Sequence, residues 1–257
     1  MAVKFQMKDS SANNRVISGS VVIVLILIWE LIARIMGSRQ ILPGPVESFT
    51  TLIKMVGSPS FFPSLGSTLL RGILGFALAF ISAIVIGTLC GLSRKVEAGF
   101  RPIIVTLRST PVISFILLAL IWFRVDQVPV FIGFLTMFPI LSTNITQGIR
   151  SADPGLIEMA RVYEVSDFRI LKDIYVPSIL PFLFSGTSTA VGFGWRSVII
   201  GEVLSQPRYG IGAMMQDSQS FLLVAEVIAW TLIAVVFGAC FEWLIRLTEK
   251  RIMIWNR

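Results

Sequence analysis

Six apolar runs alternate with short polar segments along this chain. They cover residues 17–36, 65–92, 102–123, 128–149, 178–204 and 222–247. About 20 apolar residues in helical form cross the hydrocarbon core of a bilayer, and each run reaches that length. The pattern predicts an all-α, polytopic membrane protein with about six transmembrane helices. The third run is broken near Pro111, within RSTPVIS. Between the first two runs lies a loop with several breakers, ILPGP from Ile41 and prolines at 59 and 63, and a short surface helix is expected over residues 46–56. The second run carries Gly66, Gly72, Gly75, Gly87 and Gly91, small residues that let membrane helices approach closely. Residues 94–101 read as a charged loop, and QPRYGIGAMMQDSQS from Gln206 reads as a polar turn. No clear small-x-small cleavage site follows the first run, which favours an uncleaved helix over a signal peptide. The expected division is a polar tail over residues 1–16, one membrane domain over residues 17–247 and a short basic tail over residues 248–257.

The segment between the fourth and fifth runs, DPGLIEMARVYEVSDFRILKDIYVPSILP from Asp153, is of a different kind. Asp153 can cap a helix and Pro154 suits its first position. Leu156, Met159, Ala160 and Tyr163 follow at three- and four-residue spacing, giving one apolar face. Ser166 and Asp167 read as a second cap, with Phe168, Leu171 and Ile174 behind it, and Pro177 and Pro181 closing the segment. Two short amphipathic helices joined by a tight corner are expected over residues 153–177. Either a docking surface or an ordinary solvated loop helix satisfies that pattern.

Composition and charge then restrict the class. The chain is 54% hydrophobic and only 14% charged, against about 25% charged in an average soluble protein, and its mean hydropathy is +0.81. Its partner is therefore membrane lipid. The net charge of +7 is explained by Lys- and Arg-rich cytoplasmic loops rather than by nucleic acid. With six spans, both termini, the loop after the second span and the 153–177 segment share a side. That side holds Lys4, Lys8, Arg15, Arg94, Lys95, Arg101, Arg150, Arg161, Arg169, Lys172, Arg246, Lys250, Arg251 and Arg257. The other side's loops hold Arg39, Lys54, Arg124 and Arg208. The positive-inside rule places the first group, and both termini, in the cytoplasm. Cys90 and Cys240 form no disulfide or metal pattern, and the chain has no His.

The polar residues inside the runs are candidate pathway residues. Ser185, Thr189, Gly192 and Arg196 share one helix face, as do Thr136, Pro139, Thr143, Gln147 and Arg150. Such stripes face a bundle interior or a wet cavity. Arg196 has two readings: it attracts an anionic or hydrogen-bonding solute, or it pairs with Glu202, Glu226 or Glu30. Arg108 sits nearer the cytoplasmic end, where its head can snorkel to the interface. Glu30 and Arg34 are expected to pair along one face, and Glu242 to pair with a basic residue near the inner end of the last span. There is no GxxxxGK[ST] loop, no HExxH and no GxSxG, so if ATP drives this protein another subunit must hydrolyse it, and no catalytic or metal site is expected. An ion-gradient-driven secondary transporter is the alternative, with Glu202 and Glu226 as its candidate carboxylates. A membrane enzyme has no catalytic constellation to stand on.

The residues EMARVYE from Glu158 and IYVP from Ile174 resemble the cytoplasmic "EAA" loop of ATP-binding cassette importer permeases, E-A-A, three residues, G, about nine residues, then I-x-L-P. Glu158 and Ala160 match, Met159 stands for Ala, Val176 for Leu, and Glu164 where the family has the corner Gly. The resemblance runs from about Leu42 to the C-terminus and is nearest to nitrate/sulfonate/taurine-type permeases. It implies a type I importer permease fold and alternating access. It also implies a second permease copy, ATPase subunits that bind the ATP, and a periplasmic substrate-binding protein. On this reading Glu158, Met159, Ala160, Tyr163, Glu164, Phe168 and Leu171 couple to the ATPase. Substrates of the resembling proteins include nitrate, sulfonates, taurine, bicarbonate and vitamin precursors.

Overall fold

Every regular element among the described residues is helical. The structure is a computed structural model that describes residues 11–38 and 41–252. In chain order the helices are α1 (Ser11–Met36), α2 (Pro45–Val56), α3 (Phe61–Leu92), α4 (Arg94–Ser109), α5 (Val112–Trp122) and α6 (Val128–Arg150). They continue as α7 (Pro154–Val162), α8 (Asp167–Ile170), a π turn (Leu171–Tyr175), α9 (Val176–Ser205), α10 (Ile211–Ser220) and α11 (Val224–Ile252). Lys4, Lys8, Arg39 and Arg257 of the orientation argument lie outside the described residues. Five elements are long and apolar enough to cross a membrane, namely α1, α3, α6, the continuous segment Asp167–Ser205, and α11; a sixth is counted if α4 and α5 form one broken span.

That third span differs from expectation. The charged residues 94–101 are the first turns of α4, started by Ser93, whose hydroxyl accepts from Val96 N. Helix α4 bends by 99° from α5. The break has a local cause: Thr110 is extended (φ −77°, ψ 131°) ahead of Pro111, as the residue before a proline prefers. Eleven residues of α5 rise only about 16 Å, half the hydrocarbon thickness. The polar turn expected after Gln206 also differs. Only residues 206–210 turn, with Gln206 left-handed at φ 47°, and the rest forms α10. Ile211 and Ala213 bury that helix against its neighbours.

Helices α3, α6 and α9 form the packed centre, around Ala79, Ala83, Met137, Leu141, Ile145 and Ala190. Close approach needs glycine here: a Cβ on Gly75 would stand 2.9 Å from Val130 O. Thr146 Oγ1 donates across the same seam to Gly87 O at 3.1 Å. Of the five glycines expected to serve close contacts, Gly66 faces open space. A second cluster of Phe61, Trp195, Ile211, Trp230 and Ile233 ties α10 and α11 to α9 and α3. Helix α1 is exposed along its apolar span, with Trp29 Nε1 donating to Pro43 O at 3.1 Å.

Candidate functional site

The two polar stripes border two open cavities that meet on one face of α9. The first has a volume of about 570 Å³ and lies between the α4–α5 break, α6 and α9. Arg108, Thr110, Thr136, Thr143, Asn144, Gln147 and Thr189 supply its polar lining. The second, about 640 Å³, lies between α9 and α11 and is bordered by Ser188, Thr189, Gly192, Arg196, Thr231 and Glu242. Thr189 and Phe193 line both. The structure thus brings Thr143 and Gln147 together with Thr189 in one cavity, and Thr189, Gly192 and Arg196 together in the other. Ser185 shares the α9 face but lines neither. Arg150 leaves its stripe to pair with Glu97 at 2.7 Å and to donate to Cys90 O at 2.9 Å.

None of the three carboxylates considered for Arg196 pairs with it. Glu202 is fully buried and bonded to Arg71 Nη1 at 2.6 Å, Thr68 Oγ1 at 2.9 Å and Gly212 N at 3.0 Å. Glu226 accepts from Ser218 at 3.0 Å. Glu30 pairs with Arg34 at 2.7 Å, as its spacing predicts. Glu242 pairs with Arg246, one turn along α11. Arg196 itself is exposed, and no ion pair to it forms among the described residues.

Arg71 is the functional-looking residue that sequence reasoning missed. It lies ten positions inside an apolar helix, beside Thr68, and an ionisable residue in a span is a signal in its own right. Besides Glu202 it donates to Tyr209 O at 2.7 Å and to Asp126 Oδ1 at 2.6 Å. One guanidinium therefore joins α3, α9, the turn before α10 and the turn before α6. Thr68 Oγ1 also accepts from Ile211 N at 2.8 Å, which satisfies the start of α10.

The 153–177 segment begins as predicted. Asp153 caps α7 by accepting from Gly155 N at 2.8 Å, with Pro154 in the first turn. The corner uses Glu164 at φ 52°, a left-handed conformation that costs a non-glycine residue roughly 1 kcal/mol. Val165 N closes it by donating to Ala160 O at 2.9 Å. The second half departs from expectation. Ser166 is extended at the cap position but its side chain makes no cap bond. The four residues of α8 do not end at Pro177; they run through the π turn into α9, which contains both Pro177 and Pro181. A proline's missing N–H and ring disturb the preceding turn, and a π turn absorbs that disturbance without stopping the helix.

Exposure sorts the candidate coupling residues. Leu156, Met159, Tyr163, Phe168 and Leu171 are exposed, with Tyr163 at 75% and Phe168 at 71%, and Glu158 and Glu164 are also exposed. Ala160 is buried at 7% within the chain, so it packs the corner rather than facing outward. The segment is anchored where α6 and α9 touch: Gly148 lies against Ile179, and Ser151 Oγ donates to Ser178 O at 3.4 Å.

A bundle of this architecture, carrying polar cavities between spans and an exposed helical loop, is a transport permease. Residues 83–254 match the family of binding-protein-dependent transport system inner membrane components, and the chain belongs to that family. It is therefore a multi-pass inner-membrane permease component, with no catalysis of its own. A Bacillus subtilis protein named for aliphatic sulfonates transport is 29% identical over 91% of this chain and 85% of its own length. The taurine transport system permease of Escherichia coli is 25% identical over 91% of this chain and 87% of its own. The bicarbonate transport system permease of Synechococcus elongatus is 28% identical over 79% and 77%. A chain of the methionine transporter in an inward-facing crystal form superposes with a TM-score of 0.54 over 74% of this chain and 93% of that one, at 18% identity. That likeness identifies the fold as the type I importer permease.

Proposed function

We propose that two copies of this chain form the pathway of an ATP-driven importer for a small anion of the sulfonate, taurine or bicarbonate type. Separate cytoplasmic ATPase subunits bind and hydrolyse the ATP. A periplasmic binding protein delivers the solute. ATP-driven closure of the ATPase pair moves the 153–177 loops, and the bundle alternates between outward and inward access. Both termini face the cytoplasm in this reading, which the distribution of Lys and Arg supports.

The single observation that carries the proposal is the α9 face on which both cavities converge, with Arg196 unpaired beside Thr189 and Gly192. An intramembrane arginine costs about 2.5–3.5 kcal/mol on insertion scales, and at this one a solute anion would supply the missing partner. The ion-driven alternative is weakened at one of its two candidate carboxylates, because Glu202 is saturated by Arg71, Thr68 and Gly212. Proteoliposomes holding the permease, its ATPase and its binding protein test the reading. ATP-dependent uptake of taurine, ethanesulfonate or bicarbonate is expected, and uptake driven by an ion gradient without ATPase subunits would sink it.

A further inference from the structure

In the cavity between α4, α5, α6 and α9, most of the polar side chains of the wall have hydrogen-bond chemistry of one kind. Thr136 Oγ1 donates to Ile132 O at 2.7 Å, Thr143 Oγ1 to Pro139 O at 2.6 Å, and Thr189 Oγ1 to Ser185 O at 3.0 Å. A hydroxyl has one proton to donate. Each of these has committed it to its own helix and presents only acceptor lone pairs to the cavity. Asn144 has likewise used one of its two amide protons on Ile140 O, at 2.8 Å.

Free donors are concentrated at Arg108 and Gln147, neither of which is paired among the described residues. Arg108 stands in the last turn of α4, at the 99° break, and the break brings it to the same cavity as the α6 stripe. Apolar wall is supplied by Phe115, Ile132, Leu135 and Phe193. A volume of about 570 Å³ is that of a pocket for a drug-sized molecule, so shape does not select among solutes of a few heavy atoms. Hydrogen bonding must.

We infer that this cavity is a solute-binding station inside the membrane domain, and that it takes a small organic anion carrying its own hydrogen-bond donor, an amine or hydroxyl, on a short alkyl linker. The anionic head pairs with Arg108 and the Gln147 amide. The donor end meets the threonine acceptors. Gln147 and Thr143 are one turn apart, about 6 Å along α6, which suits a short linker with its hydrogen bonds. A bare anion finds donors at one end only and meets lone pairs elsewhere. Arg108 thereby differs from Arg196, which lines the neighbouring cavity between α9 and α11. The inference rests on the importer reading above.

The test uses the complete permease–ATPase complex in phosphatidylcholine nanodiscs, without the binding protein. Radiolabelled taurine is expected to bind, and isethionate to displace it. Ethanesulfonate, which lacks the donor, is expected to displace it on the order of tenfold more weakly. Arg108→Gln weakens taurine binding by on the order of tenfold, and Arg108→Lys recovers part of it; ATPase co-purification shows that each variant is folded. Thr143→Val lowers affinity for taurine and not for ethanesulfonate. The inference is overturned by absent taurine binding, by equal displacement by ethanesulfonate, or by unchanged affinity in Arg108→Gln. It is also overturned if phosphatidylglycerol in the disc abolishes binding, which assigns Arg108 to lipid phosphate. Binding-protein-stimulated ATP hydrolysis by the unmodified complex separates the two levels. Where it is present, a negative result removes the station alone; where it is absent, the importer reading falls with it.

Discussion

Arg71 Nη1 lies 2.6 Å from Glu202 Oε1, and the two residues are 131 positions apart in sequence. Both side chains are buried, and the guanidinium's other nitrogen reaches Asp126. A buried ion pair is weak evidence of net stabilisation, but removing one member leaves an uncompensated charge and costs about 3–5 kcal/mol. Arg71→Ala and Glu202→Ala should each lower the thermal stability of the purified complex by that order. The double variant should lose less than the sum of the two. Additive losses would mean that the pair is not coupled.

Arg196→Ala should reduce ATP-driven import by on the order of tenfold while the complex still assembles. Because no carboxylate among the described residues pairs with Arg196, charge reversal at Glu202, Glu226 or Glu30 should not rescue it. Normal import by a well-expressed Arg196→Ala protein would remove it from the pathway.

Topology can be read by thiol labelling in a background lacking Cys90 and Cys240. Cysteine at Ser58 should react with an impermeant reagent added outside intact cells. Cysteine at Asn14, Ser166 or Asn256 should be protected. Outside labelling at Ser166 would invert the scheme and detach the loop from any cytoplasmic ATPase.

Met159→Ala and Phe168→Ala remove exposed apolar side chains from the 153–177 loop. Exposed apolar groups of this kind call for a partner surface. Both variants should lower ATPase co-purification without loss of permease insertion. Ala160→Trp is a different experiment, since Ala160 is buried at 7%. It should disrupt the corner itself, by overpacking worth about 1–3 kcal/mol. Unchanged ATPase retention and coupled hydrolysis in all three would leave the segment an ordinary solvated loop.

The corner offers a sharper comparison. Glu164→Gly should be tolerated, because glycine adopts φ 52° freely. Glu164→Val should weaken ATPase retention, because a β-branched residue at positive φ is strained. Equal behaviour of the two variants would show that the left-handed turn does not matter for docking.

The spans, the cap at Asp153 and the two polar stripes were legible because apolar length, cap chemistry and helical spacing are local properties. The corner at Glu164 was legible only through the family's glycine. What stayed hidden was non-local or depended on a competition. Arg71 finds its partner 131 positions away, which no local pattern reports. The 99° break shows in sequence as a proline but not as an angle. The turn after Gln206 became α10 because Ile211 and Ala213 could be buried against α9 and α11, a gain invisible until those helices are in place. The second loop helix ran on into α9 because the π turn tolerates Pro177, where prolines alone would mark a stop.

The distance between Arg71 and Glu202 along the chain is also a delay in time. At roughly 5–20 residues per second of synthesis, the carboxylate leaves the ribosome some 7–26 s after the guanidinium that needs it. Asp126, 55 positions after Arg71, emerges before Glu202, so through the later part of that interval the arginine of α3 has only the largely exposed Asp126 as its counter-ion. The set of contacts on Arg71 is complete only when α9 supplies Glu202 and the turn after it supplies Tyr209 O.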